Sequence, residues 1–412
     1  MNLGGLHRTV VVIGGGQAGL SMSACLRARD VDHVVLEKHQ PGHEWRTRRW
    51  DSFCLVTPNW SVQLPGGIYD GDDPHGFMPR DEIVAYLERY ASGFAAPLRE
   101  GVEVRRLARL PEGGFVIDTS QGELSARSVV LSTGAYQRPH RPAAASGLPS
   151  DLLQMDVTDY ANPGDLPPGP LLIVGSGQSG CQIAEELHEA GREVFLSCGR
   201  APWTQRRLGG HDFVWWAVAT GFMEDALSSL ADPRDRLAAN VLATGHGGGR
   251  DLNLRTLQAR GVTLLGRLLD ADGRRAQFAM DLAGSIGWGD ERNAQMMGRF
   301  ERWASEQGLP WPELPAPTPL DTRSREWLDL AGFGAVIFTG GFRPDYASWV
   351  EIPGAFDDYG FPLHEECESA AAPALHFAGV HFLRKRKSSL FVGVGEDAGV
   401  VARRVARAPM KL

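Results

Sequence analysis

Cysteine is scarce in this 412-residue sequence, which has only five cysteines, and they stand far apart. An odd number of widely spaced cysteines does not make a disulfide framework, so we expect a reducing, cytoplasmic location. No Cys-x-x-Cys motif is present, which excludes the dithiol class of reductases. No unbroken apolar run reaches the roughly 18 residues of a membrane span, and no cationic leader opens the chain, so neither a span nor a signal peptide is predicted.

Basic residues are fewer than acidic residues, which gives a net charge of −8 and a pI of about 5.9. This balance argues against nucleic acid or an anionic membrane as a partner. Hydrophobic residues make up 43% and charged residues 22%, as in an ordinary globular protein, and the length suggests two or three domains. No metal site is predicted.

A Gly-x-Gly-x-x-Gly turn stands near the start, between a β-branched run at residues 9–13 and a small-residue helix. Gly14 allows the tight turn, Gly16 lets a pyrophosphate approach the backbone, and Gly19 lets helix and strand pack closely. A second strand at residues 33–36 ends on Glu37, whose carboxylate suits ribose hydroxyls. The unit predicts a dinucleotide site formed by the following residues: Gly14, Gly16, Gln17, Ala18, Gly19, Glu37 and Lys38.

The same plan occurs a second time. A strand at residues 171–174 enters a second Gly-x-Gly-x-x-Gly turn, predicted to bind a nucleotide through Gly175, Ser176, Gly177, Gln178, Ser179 and Gly180. In both halves a hairpin that begins Gly-Val follows, and then a strand that ends in Thr-Gly, at Thr133-Gly134 and at Thr339-Gly340. We therefore predict an α/β fold with two Rossmann-like dinucleotide-binding domains, one inserted in the other.

Domain boundaries follow from this duplication. The first domain is predicted to comprise residues 1–142 and 335–412, and the second residues 143–334 with helical insertions at about 205–250 and 281–320. The insertions carry six tryptophans, Trp203, Trp215, Trp216, Trp288, Trp303 and Trp311. They either form plain core or line a substrate cavity beneath a helical lid.

The two halves differ where the second strand ends. Glu37 would repel a 2′-phosphate, whereas the second half has no acid there and carries Arg200, Arg206 and Arg207. Guanidinium groups suit a phosphate dianion, so the first domain should bind FAD and the second NADPH. A solvated surface cluster is the alternative for these arginines.

Two further segments invite a functional interpretation. Aromatic residues in the loop at residues 45–60 either stack along a flavin or close the domain, and Asn59 is a candidate catalytic residue near the reactive edge of the flavin. The basic run at residues 384–387 is expected to be a solvated surface loop, ahead of a glycine-led helix that ends near Arg407.

These motifs together resemble the flavin-containing monooxygenases, most closely the bacterial branch described as flavoproteins of cation transport. The resemblance rests on the two glycine turns, Trp45-Arg46, Thr57-Pro58, Thr133-Gly134, Arg200 and residues 339–345, and it is weakest over the insertions. It implies FAD and NADPH as cofactors and oxygen transfer through a flavin C4a-(hydro)peroxide to nitrogen, sulfur or a carbonyl carbon. Further cofactor contacts are expected at Trp45, Arg46, Thr57, Val104, Thr133, Gly134, Thr339 and Gly340.

One family motif is altered. The fingerprint Phe-x-Gly-x-x-x-His-x-x-x-Tyr/Trp fits best with its end at Tyr160, which places Ser150, Leu152 and Asp156 at the other three positions. A Tyr at the end disfavours the Baeyer–Villiger subgroup, whose pattern ends in Trp.

We therefore expect an NADPH-dependent FAD monooxygenase that acts on a small organic molecule with O2, and a homodimer is left open. An NADPH oxidase or reductase without oxygen insertion, and a non-enzymatic flavin-binding regulator, remain as alternatives.

Overall fold

The computed structural model describes residues 3–314 and 316–407. Its first sheet takes strands from both ends of the chain. The parallel strands follow one another across this sheet in the order Leu98–Arg99, His33–Leu36, Leu6–Ile13, Gly122–Leu131 and Leu375–Phe377. An antiparallel meander, Val104–Arg109 and Phe115–Thr119, joins Gly122–Leu131 as predicted, and three short strands complete the sheet: Val350–Glu351, His364–Glu365 and Glu368–Ser369.

The second sheet has five parallel strands and repeats this plan. Its order is Thr263–Leu265, Val194–Ser197, Leu171–Val174, Ala335–Phe338 and Leu153–Asp156. Beside it lies an antiparallel sheet of Leu268–Asp272, Arg275–Phe278 and Trp327–Asp329. Leu171, Leu172 and Ile173 are fully buried, as expected for strands covered on both faces. The predicted pair of Rossmann-like units is confirmed.

The predicted boundary at residue 335 is wrong. Strand Ala335–Phe338 pairs with Leu171–Val174 and with Leu153–Asp156, so it belongs to the second sheet. The chain returns to the first sheet only after Phe342–Arg343, which pairs with Arg138–Pro139. The two crossings between the sheets therefore run side by side as a short antiparallel ribbon.

In the second half, the hairpin predicted to begin with Gly-Val, at Gly261-Val262, does not start with one continuous strand. Thr263–Leu265 extends the parallel sheet, and Leu268–Asp272 opens the antiparallel one. The chain changes sheet at Gly266, where an added Cβ would stand 1.8 Å from the carbonyl oxygen of Ala279. Only glycine tolerates so close a backbone approach.

Within residues 3–314 and 316–407, eight α-helices accompany the sheets: Gln17–Arg27, His43–Thr47, Arg80–Gly93, Gln178–Glu189, Phe213–Ala219, Leu254–Arg260, Leu282–Glu306 and Val394–Arg407. The third buries Ile83, Tyr86, Leu87 and Tyr90, the face that its 3.6-residue periodicity predicts. Among the described residues, no helix has both the length and the apolar character needed to cross a bilayer.

The first insertion is mostly not helical. Between residues 205 and 250 the structure has one helix, Phe213–Ala219, followed by isolated 3₁₀ turns. Gly221 at φ +69° follows this helix and begins the next turn, and Pro233 starts another. The second insertion is helical as predicted, over Leu282–Glu306.

The tryptophans of the insertions pack mainly on one another. Trp216 lies 5.0 Å from Trp215, 6.0 Å from Trp303 and 5.4 Å from Trp311 between ring centroids. This cluster contacts Val56, Trp60 and Leu390 from outside the insertions. The plain-core alternative therefore describes these four rings, and they cover one side of the first domain.

Candidate functional site

The first glycine turn has the tight geometry that its sequence predicts. Gly14 adopts φ +105°, and an added Cβ at Gly19 would stand 1.8 Å from the carbonyl oxygen of Gly14. Ser132 ties the turn to the neighbouring strand, because its hydroxyl donates to the carbonyls of Ile13 and Gly14 at 2.8 and 3.1 Å. An added Cβ at Gly16 would meet nothing within 4 Å, so space for a pyrophosphate lies above this residue.

Glu37 is fixed beside this turn. Its Oε2 accepts from the Gly15 backbone N–H at 2.6 Å, and its Oε1 accepts from the His39 N–H at 2.8 Å. These bonds hold an ionised carboxylate at the end of the second strand, where a ribose would lie. The Gly15 contact was not foreseen from the sequence.

The second glycine turn is built in the same way. Gly175 adopts φ +117°, an added Cβ at Gly180 would stand 1.9 Å from the oxygen of Gly175, and Thr339 donates to the carbonyls of Val174 and Gly175 at 3.1 and 2.7 Å. Thr339 is thus equivalent to Ser132.

This equivalence shifts the predicted alignment of Thr133-Gly134 with Thr339-Gly340 by one residue. Thr133 corresponds to Gly340, and Gly134 at φ +71° corresponds to Gly341 at φ +83°. Sequence matching aligned the two threonines, whereas strand pairing aligns the two hydroxyls that close the turns.

A segment of the first insertion, residues 238–243, covers the second turn; we call it the strap. An added Cβ at Gly177 would stand 3.6 Å from the Cβ of Ala239. The amide of Gln178 donates to the Val241 carbonyl at 2.7 Å, and that of Gln182 donates to the Ala243 carbonyl at 2.8 Å. The space above this turn is therefore smaller than above Gly16.

The three arginines predicted to hold the 2′-phosphate have different environments. Arg200 is exposed and makes no hydrogen bond or ion pair with any described residue, and Arg207 is exposed in a two-residue strand. Arg206 points inward, with its side chain 2% exposed, and pairs with the equally buried Asp212 at 2.8 Å.

The predicted role of Arg206 in phosphate binding is therefore wrong. Its guanidinium also donates to the Val56 carbonyl at 2.8 Å and lies 4.2 Å from the Phe77 ring centroid. Burial lowers the pKa of Arg206 to about 10, and the charge of Asp212 opposes that shift. Arg206 joins the insertion to the first domain.

The other predicted contacts of the first domain lie around its turn. The Trp45 indole donates to Gln17 at 3.3 Å, Lys38 pairs with Glu103 at 2.7 Å, and Arg46 pairs with Glu88 at 2.5 Å. Thr57 and Val104 are half-buried, Thr133 is exposed, and Gly340 lies against the His140 carbonyl. Their cofactor contacts stay predictions.

Asn59 is 4% exposed, and both ends of its amide are engaged. Its Nδ2 donates to the Asp73 carbonyl at 2.9 Å, and its Oδ1 accepts from the Met78 N–H at 2.8 Å. These bonds anchor the loop that precedes helix Arg80–Gly93, which supports a structural role; the catalytic role of Asn59 stays a prediction.

The basic run at residues 384–387 is not a solvated loop. Lys385 and Lys387 both pair with Glu224 and Glu396, at 2.5–2.7 Å. Arg386 lies 4.1 Å from the Phe222 ring centroid. The run joins the insertion to helix Val394–Arg407 through opposite charges that sequence spacing did not reveal.

The altered fingerprint lies in the second domain. Leu152 is buried, Asp156 pairs with Arg141 at 2.7 Å, and the Tyr160 hydroxyl donates to Glu186 at 2.8 Å. Ser150 precedes strand Leu153–Asp156. These side chains hold the edge of the second sheet.

The residues present fit two nucleotide cofactors. In both turns, the positions of closest backbone contact have room only for glycine. Helices Gln17–Arg27 and Gln178–Glu189 begin at these turns, and their first backbone N–H groups are unpaired and suit phosphates. Glu37 marks the first site, and the exposed Arg200 marks the second.

Comparison with known proteins supports this interpretation. The family model of the pyridine nucleotide-disulphide oxidoreductases matches residues 11–211. An uncharacterized CzcO-like oxidoreductase of Geobacillus kaustophilus is 31% identical over 392 residues, which cover 94% of this chain and 95% of the relative. The indole-3-pyruvate monooxygenase YUCCA1 of rice is 30% identical over 180 residues, 43% of this chain and 44% of that protein.

The fold is shared with a solved structure. A flavin-containing monooxygenase from Stenotrophomonas maltophilia is similar over 97% of this chain and 98% of its own, with a TM-score of 0.69 and 20% identity. The chain therefore belongs to the CzcO-like oxidoreductases, and it has the fold of a flavin-containing monooxygenase.

Proposed function

We propose that this enzyme is an NADPH-dependent monooxygenase that inserts one atom of O2 into a small organic molecule at nitrogen, sulfur or a carbonyl carbon. The observation that carries the proposal is the pair of glycine turns with one architecture and opposite charges at the second strand. One turn has the fixed carboxylate of Glu37, and the other has the free guanidinium of Arg200.

In the first domain, the backbone N–H groups that follow Gly16 would hold the FAD pyrophosphate, with support from the helix dipole. Glu37 would accept hydrogen bonds from the ribose hydroxyls, since the Gly15 and His39 N–H groups already orient its carboxylate. When bound, FAD supplies the acceptor for the hydride of NADPH and the centre that reacts with O2.

In the second domain, Arg200 would hold the 2′-phosphate that distinguishes NADPH from NADH. Arg200 has no carboxylate partner among the described residues, so an incoming dianion does not have to displace one.

Aromatic packing next to the first domain would help to shield a bound flavin from water. The tryptophan cluster lies against Val56, Trp60 and Leu390, and Trp45 packs on Phe391 at 5.8 Å. Exclusion of water favours transfer of oxygen to the organic molecule over release of hydrogen peroxide.

An NADPH oxidase that inserts no oxygen is the second candidate. It is favoured by the altered fingerprint, whose three substituted positions hold sheet-edge residues instead of the family's Phe, Gly and His. The regulator alternative is not retained, because the family consists of oxidoreductases.

The test is the coupling of NADPH oxidation to oxygenation. The FAD-loaded protein is mixed with NADPH and O2 in the presence of an amine, a sulfide or a ketone, and hydrogen peroxide and product are quantified. We expect oxygenated product with at least one compound and a matching fall in peroxide. Peroxide equal to the NADPH consumed for every compound would establish the oxidase instead.

A further inference from the structure

Several elements meet at Tyr136, which follows strand Gly122–Leu131. Tyr136 is 44% exposed, and its ring stacks on His381 at 5.4 Å with a 14° interplanar angle and lies 5.6 Å from Phe342. Asn240, from the strap, lies beside its hydroxyl. Tyr136 is therefore held between elements of both domains while part of the residue stays accessible; we call this accessible region the cleft.

The charge of Arg49 acts on this tyrosine. Desolvation raises the pKa of the Tyr136 hydroxyl, and the Asn240 amide and the charge of Arg49 oppose that rise. The Arg49 guanidinium lies 5.4 Å from the Trp45 ring centroid and 5.7 Å from that of Phe53. A cation and three aromatic side chains thus face one region.

Arg49 forms no ion pair with any described residue, and the charge of Glu44, which is itself paired with Arg48, compensates it only in part. Its hydrogen bond goes to the Arg48 carbonyl at 2.8 Å, and the residue is partly buried. Three neighbouring arginines behave otherwise: Arg46 pairs with Glu88, Arg48 with Glu44 and Arg80 with Asp51. Of the arginines at residues 46–49, Arg49 alone makes no ion pair with a described residue.

A partly desolvated guanidinium without a partner is unfavourable, and an anion that enters the cleft would relieve this cost. The planar guanidinium suits a carboxylate, which it binds through two parallel hydrogen bonds. The rings of Trp45, Phe53 and Tyr136 would pack against an apolar body attached to that carboxylate.

We propose that Arg49 and Tyr136 form a binding site for the carboxylate of the substrate, so that the enzyme selects small carboxylic acids with an aromatic or apolar body. This inference rests on the proposed function and specifies its substrate class. A phosphate of either cofactor is the other anion that Arg49 could receive, and the test separates the two.

The experiment measures binding without turnover, by calorimetry on the FAD-loaded protein. The probes are phenylacetate, indole-3-acetate and octanoate, each compared with its primary amide, which keeps the body and removes the charge. The proteins are the wild type, Arg49→Met, Arg49→Lys and the neighbouring control Arg48→Met, whose arginine is already paired at the surface.

We expect the wild type to prefer at least one acid over its amide by about tenfold or more. Arg49→Met should weaken binding of that acid by about ten- to a hundredfold and change binding of the amide less than about twofold. Arg49→Lys should keep part of the preference, and Arg48→Met all of it.

Equal affinity of the wild type for every acid and its amide would overturn the proposal, whatever the variants do. Loss of FAD on gel filtration, or an equal loss of NADP⁺ affinity in Arg49→Met, would also overturn it, because Arg49 would then serve a cofactor phosphate. If acids bind as expected but no compound is oxygenated, the proposed function fails and this site stands.

Discussion

At the scale of single residues, Gly16 is a position where a substitution tests cofactor binding without disturbing the fold. A side chain at Gly14 or Gly19 would collide with backbone, whereas an added Cβ at Gly16 meets no protein atom within 4 Å. Gly16 is therefore the position in the first turn at which a larger residue acts on the ligand alone.

We predict that Gly16→Val gives folded but colourless protein, because valine would fill the path of the pyrophosphate. FAD content is measured by absorbance after gel filtration, and folding by circular dichroism. Gly284→Val, an exposed helical position with open space around it, is the matched control and should stay yellow. Full FAD content in Gly16→Val would show that this turn does not bind the FAD pyrophosphate.

Arg200 carries the coenzyme prediction at the same scale. Arg200→Ala should raise the KM for NADPH about ten- to a hundredfold, the value of one charge-assisted contact, and leave the KM for NADH unchanged. Steady-state kinetics with both coenzymes make the comparison, with NADH as the internal control. Equal losses with both would mean that Arg200 does not touch the 2′-phosphate.

At the scale of elements, Arg206 pairs with Asp212 inside the first insertion and attaches the insertion to the first domain through its hydrogen bond to the Val56 carbonyl. Asp212 also caps helix Phe213–Ala219, since its Oδ1 accepts from the Val214 N–H at 2.9 Å. Both side chains are 2% exposed, so loss of one leaves the other charge buried without a partner.

We predict that Arg206→Met lowers the free energy of unfolding by about 3–5 kcal/mol. Adding Asp212→Asn should recover much of this loss, because the amide keeps the cap and removes the unpaired charge. Urea unfolding of the single and double variants gives the values. A rise in the KM for NADPH with unchanged stability would restore the phosphate role for Arg206.

The element scale also shows what the sequence could and could not predict. Buried apolar strands such as residues 9–13 and 335–338 follow from composition, and the glycine turns follow from spacing. Composition and spacing do not show which sheet residues 335–338 join, because strand pairing depends on contacts that are distant in sequence. Arg200 and Arg206 look alike in sequence, and only the fold turns Arg206 towards Asp212.

The prediction of a helical first insertion was wrong where glycine and proline interrupt the helical spacing. Residues 212–241 carry apolar positions at helical spacing, yet Gly221 and Pro233 divide them into one helix and several turns. The absence of an ion pair at Arg49 was also beyond prediction, since the sequence places three arginines at residues 46–49 without showing which of them meet acids.

At the scale of the whole molecule, the strap connects the two nucleotide sites. Asn240 lies beside the hydroxyl of Tyr136 in the first domain, while Val241 accepts from Gln178 at the second turn. Ala239 takes up part of the space above Gly177 that a pyrophosphate needs. A run of glycines with positive φ, Gly247, Gly248 and Gly249, follows the strap and permits a change in its path.

We predict that NADP⁺ moves the strap away from the second turn, so that hydrogen exchange of residues 238–243 becomes faster when NADP⁺ binds. The energy of displacing the strap reduces the apparent affinity for the coenzyme, as for any ligand whose binding-competent state is a minor one. Gln182 lies next to the glycine turn but outside it, and Gln182→Leu removes the hydrogen bond that its side-chain amide donates to the Ala243 carbonyl. It should speed exchange of the strap in the free protein and tighten NADP⁺ binding. Slower exchange on NADP⁺ binding would show instead that the strap closes over the coenzyme, and Ala239 would then be part of the NADPH site.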